Sequence, residues 1–173
     1  MTSLVLTVIG PDRPGLVEAL SRTVAAHGAN WLESRMAHLG GQFVGLLRVA
    51  VSAERADALA DALRALDGHG LRVTVATADA PSDGEGRTIS LELVGQDRPG
   101  IVRDVSRELA ALGVNVEELE TACTSAPMSG ESLFRATARL RLPAELGADT
   151  LRSVLEKIAD ELMVDVALEE PGA

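Results

Sequence analysis

The sequence predicts an α+β protein made of two copies of one βαββαβ unit, and three observations support this fold class. A segment that begins at Leu4 recurs without gaps at Ile89, so that Asp97 lies 85 residues after Asp12. Hydrophobic residues alternate with period two in some segments and recur every three to four residues in others. An acidic stretch with Pro and Gly, DAPSDGEGR, separates the copies. We expect a first domain at residues 1–79, a linker at 80–87 and a second domain at 88–173.

The first strand and helix of each copy flank a turn with nearly the same sequence in both copies, GPDRPG in the first and GQDRPG in the second. Alternating Leu4, Leu6 and Val8 predict the strand. Pro14 suits the first turn of the following helix, because the missing N–H has no helical partner there. The predicted buried helix faces are Leu16, Val17, Leu20 and Val24, and in the copy Ile101, Val102, Val105 and Leu109. Gly28 and Gly113 stand where a helix-ending glycine belongs.

The rest of each copy predicts a hairpin, a second helix and a closing strand. In the first copy these are a strand from Trp31 to His38, a turn at Gly40 and Gly41, a strand through Val51, a helix with Leu59 and Leu63, and a strand at residues 71–75. The order βαββαβ gives a four-stranded antiparallel sheet with both helices on one face, the ferredoxin-like arrangement. The opposite face, with Val5, Ile9, Val44 and Leu46, is more apolar than a solvated face needs, so we expect either another sheet to cover it or the two sheets to join edge to edge.

Composition excludes several classes of function. The net charge of −10 opposes direct nucleic-acid binding, and one Trp, two Phe and no Tyr provide no base-stacking platform. No signal peptide and no membrane span are expected, so we expect a cytoplasmic protein. GPDRPG lacks the Lys of a phosphate-binding loop. The three histidines show no metal-ligand spacing, and Cys123 is expected to pack as a small apolar residue, so we expect no cofactor.

A hydrophobic strand, DRPG, a helix and G-x-N opening the next strand together resemble the ACT domain, a small regulatory amino-acid-binding module. Both copies match. A tandem pair without an attached enzyme is similar to the glycine cleavage system transcriptional repressor family, and the stretch A-P-M-S-G before Phe134 resembles that family's second-repeat loop.

The resemblance implies that a small amino acid binds near the strand–helix turns, at the junction of paired domains. The implied ligand residues are Asp12, Arg13, Pro14, Gly15 and Asn30, and Asp97, Arg98, Pro99, Gly100 and Asn115. A helix N-terminus suits a carboxylate, an Asp suits an ammonium group, and an Asn can orient either. In this fold the Asn and the DRPG turn of one copy lie at opposite ends of the sheet, so we also expect each site to combine the turn of one domain with the Asn of the other.

Structural interpretations of the same residues stay open. Asp12 or Asp97 can be a helix N-cap, and Gly15 or Gly100 can serve close packing. Arg13 and Arg98 can be solvated or paired with carboxylates. Trp31 can fill the core or line the site, and the core is the favoured position.

The resemblance therefore implies a non-catalytic regulator that binds a glycine-like amino acid and controls a transcriptional regulator through protein–protein contact, with a homo-oligomer possible. A stand-alone regulator of a metabolic enzyme is the alternative, and pull-down of the partner separates the two. A small hydrolase on the same fold is the third hypothesis, which phosphate and acyl esters would test.

Overall fold

The computed structural model describes residues 1–78, 86–125 and 130–169, and the chain divides into two compact units, Met1–Ser82 and Asp83–Ala173. Two of the features expected from the sequence lie mainly outside the described residues. Of the linker at 80–87, Gly86 and Arg87 are described, and Arg87 is the first residue of a strand. Of the A-P-M-S-G stretch, only Gly130 is described.

The first unit contains a four-stranded antiparallel sheet and two α-helices. Its elements are β1 (Thr2–Pro11), α1 (Leu16–Ala26), β2 (Asn30–Leu39), β3 (Gln42–Val51), α2 (Ala53–Arg64), a 3-10 helix (Ala65–His69) and β4 (Arg72–Thr77). The strand order is β2-β3-β1-β4, and every pairing is antiparallel. The predicted ferredoxin-like topology is confirmed.

The second unit repeats the same order. Its elements are β5 (Arg87–Gln96), α3 (Ile101–Ala111), β6 (Asn115–Ser125), β7 (Ser132–Leu142), α4 (Ala148–Leu162) and β8 (Val164–Glu169). The strand order is β6-β7-β5-β8, again antiparallel. Across the described stretches of both units, no helix has the length and apolar character to cross a bilayer.

The core of each unit lies between one face of its sheet and both helices. In the first unit, the alternate β1 residues pack with one stripe of each helix, and the fully or almost fully buried members are Leu4, Leu6, Val8, Leu16, Leu20, Val24, Leu59 and Leu63. Burying one such side chain stabilises a fold by ~1.5–3 kcal/mol. The prediction was wrong for Val17 and Val102, which are 48% and 44% exposed. The buried stripe of α1 follows every fourth residue from Leu16, so the neighbouring residue turns outward.

Two further expectations concern the segment where α1 gives way to β2. Gly28 has φ 65°, and the N–H of Ala29 donates to the Val24 carbonyl at 3.1 Å, which closes the helix in the way its sequence predicts. The helix ends at Ala26, and three residues separate it from Asn30, where β2 begins. Trp31 is partly buried and packs against the core, in agreement with the favoured interpretation.

The outer sheet faces of the two units differ in chemistry. In the first unit Ile9 and Leu46 are exposed on this face. In the second unit Arg135 and Thr137 stand at the positions that match Val44 and Leu46 in strand register. The expectation that another sheet covers the apolar face stays a prediction.

An irregularity in the second strand of each unit increases this difference. The register shifts between Trp31 and Glu33 in β2, and between Val116 and Glu118 in β6. The extra residue in β6 is Glu117, which accepts hydrogen bonds from Arg139 Nε at 3.1 Å and from Arg141. A charged network therefore covers this part of the second sheet, whereas the first unit has exposed Leu32 at the equivalent position, beside the ion pair of Glu33 with Arg48.

Candidate functional site

The DRPG turn of each unit starts where the first strand meets the last one at very short range. A Cβ at Gly10 would overlap the carbonyl oxygen of Gly70, and a Cβ at Gly95 would overlap the side chain of Val164. Only glycine permits this approach. The start of the turn is therefore held close to the residues that precede β4 in the first unit and to the first residue of β8 in the second.

The glycine that ends DRPG sets the start of the helix. Gly15 and Gly100 are the N-cap residues of α1 and α3, with φ 92° and 97°. The N–H of Ala19 is bonded to the Gly15 carbonyl at 2.9 Å, so the helix begins at Leu16. Pro14 precedes the helix, and its expected position in the first helical turn was wrong. Because the N-cap is Gly15, Asp12 is not the N-cap either.

The reason for glycine at this position is backbone conformation. No atom lies within 4 Å of a Cβ built on Gly15, so the residue is not needed for close packing. Its positive φ lies in the left-handed region of backbone conformation, which costs residues other than glycine ~1–2 kcal/mol. A glycine N-cap also offers no side chain to the first N–H groups of α1. These donors stay available at the positive end of the helix dipole.

The arginine of each turn ties the turn to the second half of its own unit. A guanidinium N–H of Arg13 donates to the carbonyl of His69, and one of Arg98 donates to the carbonyl of Glu161 at 3.4 Å. Both carbonyls lie near the end of the second helical segment of their unit. Both arginines therefore brace their turn through a backbone carbonyl, and Arg98 also lies near the Asp104 carboxyl, whose pKa it helps to lower.

A cleft of ≈ 430 Å³ adjoins the first turn. Its walls come from the turn, from α1 and from the segment before β4. The lining includes Arg13, Pro14, Gly15, Leu16, His69 and Leu71. This volume lies in the range of small-molecule sites. Three of the five residues that the sequence assigned to the first ligand site therefore meet at one cleft.

Asp12 turns toward the β2–β3 hairpin and closes a ring of hydrogen bonds there. Its N–H donates to the carbonyl of Gly41 at 3.1 Å, and the N–H of Gly41 donates to His38 Nε2, also at 3.1 Å. His38 Nδ1 lies 3.0 Å from Asp12 Oδ2. An N–H can only donate, so Nε2 is the acceptor and Nδ1 carries the imidazole hydrogen toward Asp12. The carboxylate is thus held in one orientation.

The matching carboxylate of the second unit has different partners. The N–H of Asp97 donates to the Ser132 carbonyl at 2.9 Å, and Ser132 Oγ lies 3.4 Å from Asp97 Oδ2. Cys123 is exposed and stands next to Asp97, so its expected packing as a buried apolar residue was wrong. The pKa of the Cys123 thiol is raised, mainly because protein atoms displace water from it and then because the Asp97 carboxylate opposes the thiolate charge and accepts its hydrogen bond. The group remains a thiol at neutral pH.

The second helix N-terminus also differs from the first. Asp104, in the first turn of α3, accepts a hydrogen bond from Arg103 Nε at 2.9 Å, and this bond lowers the pKa of the Asp104 carboxyl. The carboxylate lies beside Gly100, so the second unit already places a negative charge at its helix N-terminus. The first unit has Ala19 at the matching position. The first turn of α1 has Glu18 instead, which pairs with Arg22 at 2.7 Å and does not come within 4 Å of a Cβ built on Gly15.

The asparagines lie at the other end of their sheets. Asn30 pairs with Ala50, which also pairs with Ser3 near the start of β1, whereas Gly10 at the turn pairs with Phe43. Ser3 and Gly10 are seven residues apart on one strand, or about 23 Å at ~3.3 Å per residue. One small amino acid cannot contact Asn30 and Asp12 of the same unit. Asn115 has the equivalent position in β6.

His38 and Cys123 are the residues that sequence reasoning missed. They are 85 residues apart, the same offset that relates Asp12 to Asp97. The repeat register alone could therefore have placed them at equivalent positions. Their contact with the turn depends on strand register, which brings the hairpin end beside the end of β1. In the described ranges, no group of three or more His, Cys, Asp or Glu residues forms a metal site.

Comparison with known proteins identifies the repeated unit. Models of the ACT domain match residues 2–76 and residues 89–162, which together make up most of the chain. The chain belongs to the ACT domain family. Its two ACT domains correspond to the two βαββαβ units, as the DRPG and G-x-N resemblance predicted.

Two curated relatives and one solved structure match nearly the whole of this chain. Phosphoserine phosphatase SerB2 of Mycobacterium tuberculosis is 30% identical over 175 residues, covering 98% of this chain and 41% of the phosphatase. The glycine cleavage system transcriptional repressor of Escherichia coli strain K12 is 24% identical over 162 residues, covering 92% of this chain and 85% of the repressor. The crystal structure of an unknown protein from Galdieria sulphuraria has a TM-score of 0.82 and 35% identity, with 98% of each chain covered.

These matches support a regulatory, ligand-binding role for the tandem ACT chain. The chain spans about two fifths of the phosphatase, and the rest of that enzyme lies outside the alignment. It spans most of the repressor.

Proposed function

We propose that this tandem ACT protein senses a small, glycine-like amino acid at its DRPG turns and controls a transcriptional regulator through protein–protein contact. The observation that carries the proposal is the first turn, which offers a zwitterion both of the charges it needs. The uncapped N-terminus of α1 supplies N–H donors, and Asp12 supplies an oriented carboxylate. The cleft lined by Arg13, Pro14, Gly15 and Leu16 adjoins the turn, and Asp12 lies outside that lining, on the side of the β2–β3 hairpin.

The chemistry of each end of the ligand follows from these groups. The ligand carboxylate would accept hydrogen bonds from the first N–H groups of α1, where the helix dipole favours an anion. The ligand ammonium would pair with Asp12, whose side chain is 39% exposed. Arg13 would hold the turn in place through its hydrogen bond to the His69 carbonyl, and we do not assign it a direct contact with the ligand. A small side chain is favoured because Pro14 and Gly15 bring the backbone itself to the site.

The second turn offers a weaker site of the same kind. Asp97 is present, but Asp104 beside Gly100 competes with a ligand carboxylate for the helix N-terminus. Pro99 and Arg98 repeat the first turn in sequence. We therefore place the principal site in the first unit.

A non-catalytic, partner-mediated mode of action is consistent with the charge and the relatives. The net charge of −10 disfavours contact with DNA, so a repressor of this composition would act by holding a DNA-binding protein. The repressor relative matches over nearly its whole length. Asn30 and Asn115 remain proposed ligand contacts, away from the turns of their own units.

The phosphatase relative favours a second candidate function. Since nearly all of this chain aligns with less than half of that enzyme, the tandem ACT unit could regulate a metabolic enzyme. Affinity capture with the full chain, with and without 10 mM of the bound amino acid, separates the two candidates. Amino-acid-dependent recovery of a DNA-binding regulator supports the first candidate, and recovery of a metabolic enzyme supports the second.

Thermal unfolding with a panel of amino acids tests the binding step. Glycine, L-alanine and L-serine are the small members, and L-phenylalanine and L-lysine are the controls for size and charge. A ligand at 100 times its dissociation constant stabilises the folded state by ~2.7 kcal/mol, which raises the melting temperature by several degrees. A shift with the small members alone supports the proposal. The absence of any shift at ligand concentrations up to 100 mM contradicts it.

A further inference from the structure

We propose that His38 positions Asp12 for the ligand and makes the amino-acid site of the first unit weaken on acidification, while the second unit, with Cys123 at the equivalent place, does not share this response. The inference rests on the proposed amino-acid site. It concerns a residue outside the DRPG turn, on the hairpin that faces it.

The hydrogen-bond ring defines the state of the imidazole that fits the structure. Gly41 N–H donates to Nε2 and Nδ1–H donates to Asp12, so the ring is complete only when the imidazole is neutral. A neutral donor orients the carboxylate and leaves its full negative charge for a ligand ammonium. Protonation places a second N–H against the N–H of Gly41, which breaks that bond. It also gives His38 a positive charge beside Asp12, which competes with the ligand for the carboxylate.

Charged groups lie on each element around His38. Asp12, on the turn after β1, lies 3.0 Å from the imidazole, and the next residue, Arg13, donates to the carbonyl of His69. On α1, Glu18 and Arg22 pair with each other at 2.7 Å. On β2 itself, Glu33 and Arg35 pair in register with Arg48 and Leu46 and so lie on the outer face, opposite His38.

The second unit is a built-in control for this response. Asp97 is held by Ser132 and by Cys123, and neither group gains a positive charge between pH 5 and 8. The raised pKa of the Cys123 thiol keeps it protonated across that interval. The two units therefore share the turn carboxylate and differ in the group that orients it.

Nuclear magnetic resonance of the ¹⁵N-labelled full chain tests the inference, with glycine and L-serine as probes at pH 8.0 and pH 5.5. The amides of Gly15 and Gly100 report the two turns separately. Histidine is the side chain that ordinarily changes charge in this interval, and glycine stays a zwitterion throughout. We expect the dissociation constant read at Gly15 to rise about fivefold on acidification. Two unit charges 4 Å apart in water interact by ~1 kcal/mol, and this energy corresponds to a change of about fivefold in the dissociation constant. The value read at Gly100 should change less than twofold.

Two variants distinguish a role of His38 in positioning Asp12 from a role in folding alone. His38→Asn keeps an N–H donor for Asp12 and cannot titrate, so it should bind at pH 8.0 more tightly than His38→Ala and lose the pH response. His38→Ala should bind more weakly at pH 8.0. If either variant fails to fold, the wild-type comparison of Gly15 with Gly100 decides alone.

Each outcome has a distinct meaning. Binding at Gly15 that is equal at the two pH values, or a pH response retained in His38→Asn, overturns the role of His38 and leaves the proposed function standing. The absence of amide shifts with either probe at both pH values overturns the proposed function and this inference together. In that case the chemical shift of the Gly41 amide still reports whether Gly41 donates its hydrogen bond to His38.

Discussion

The left-handed N-cap of α1 gives the sharpest stability prediction. Gly15 has φ 92°, and nothing lies within 4 Å of a Cβ placed on it. The only cost of Gly15→Ala is therefore the backbone conformation, for which non-glycine residues lose ~1–2 kcal/mol. Gly68, in the 3-10 helix, is equally open to a Cβ but has no positive φ. Gly68→Ala should be neutral or stabilising by up to ~1 kcal/mol, because alanine restricts the unfolded chain.

Urea unfolding followed by tryptophan fluorescence measures this pair of variants cleanly. Trp31 is the single tryptophan of the chain and packs against the core of the first unit, which also contains both glycines. We expect the two free energies of unfolding to differ by about 1–3 kcal/mol, with Gly15→Ala the less stable variant. Equal unfolding curves for the two variants would refute the assignment of Gly15 to conformational need.

Three further predictions address other parts of the chain. Met163 ends α4 with φ 52° and a 72% exposed side chain, where the first unit has Gly70, so Met163→Gly should stabilise the second unit by about 1 kcal/mol in urea unfolding followed by circular dichroism. Glu117→Gln should destabilise the protein by about 1–2 kcal/mol in the same assay, because Glu117 is only 15% exposed and pairs with both Arg139 and Arg141. An equal effect of Glu118→Gln, which removes a more exposed partner of Arg139, would contradict this account. The pair Asn30→Ala and Asn115→Ala should weaken amino-acid binding by ~1–3 kcal/mol in calorimetry, and unchanged binding in the double variant would make them turn residues only.

The order of elements followed directly from the sequence because the repeat gives two independent readings of one pattern. The 85-residue offset, the alternation of Leu4, Leu6 and Val8, and the glycine that ends α1 each agree with the structure. Where local rules failed, the backbone was the cause. Pro14 has a favourable φ for a helix start, but the positive φ of Gly15 delays the helix by two residues.

The candidate site was only partly predictable because its key contact is long-range. Asp12 and His38 are separated by the whole of α1, and their meeting depends on how far β1 and the β2–β3 hairpin extend. A sequence motif reports the turn and not the hairpin. The separation of Asn30 from the turn, in contrast, follows from topology alone, because the helix returns the chain to the opposite end of the sheet.

Isothermal titration of the full chain with glycine and L-serine tests the central claim, that the first DRPG turn is an amino-acid site centred on Asp12. The variants to compare are Asp12→Asn and, as a matched loss of one carboxylate charge, Asp57→Asn at an exposed position of α2. The account predicts that Asp12→Asn weakens binding at least tenfold and that Asp57→Asn leaves the dissociation constant within twofold of the wild type. Equal affinities for Asp12→Asn and Asp57→Asn would contradict it and would place the ligand elsewhere on the chain.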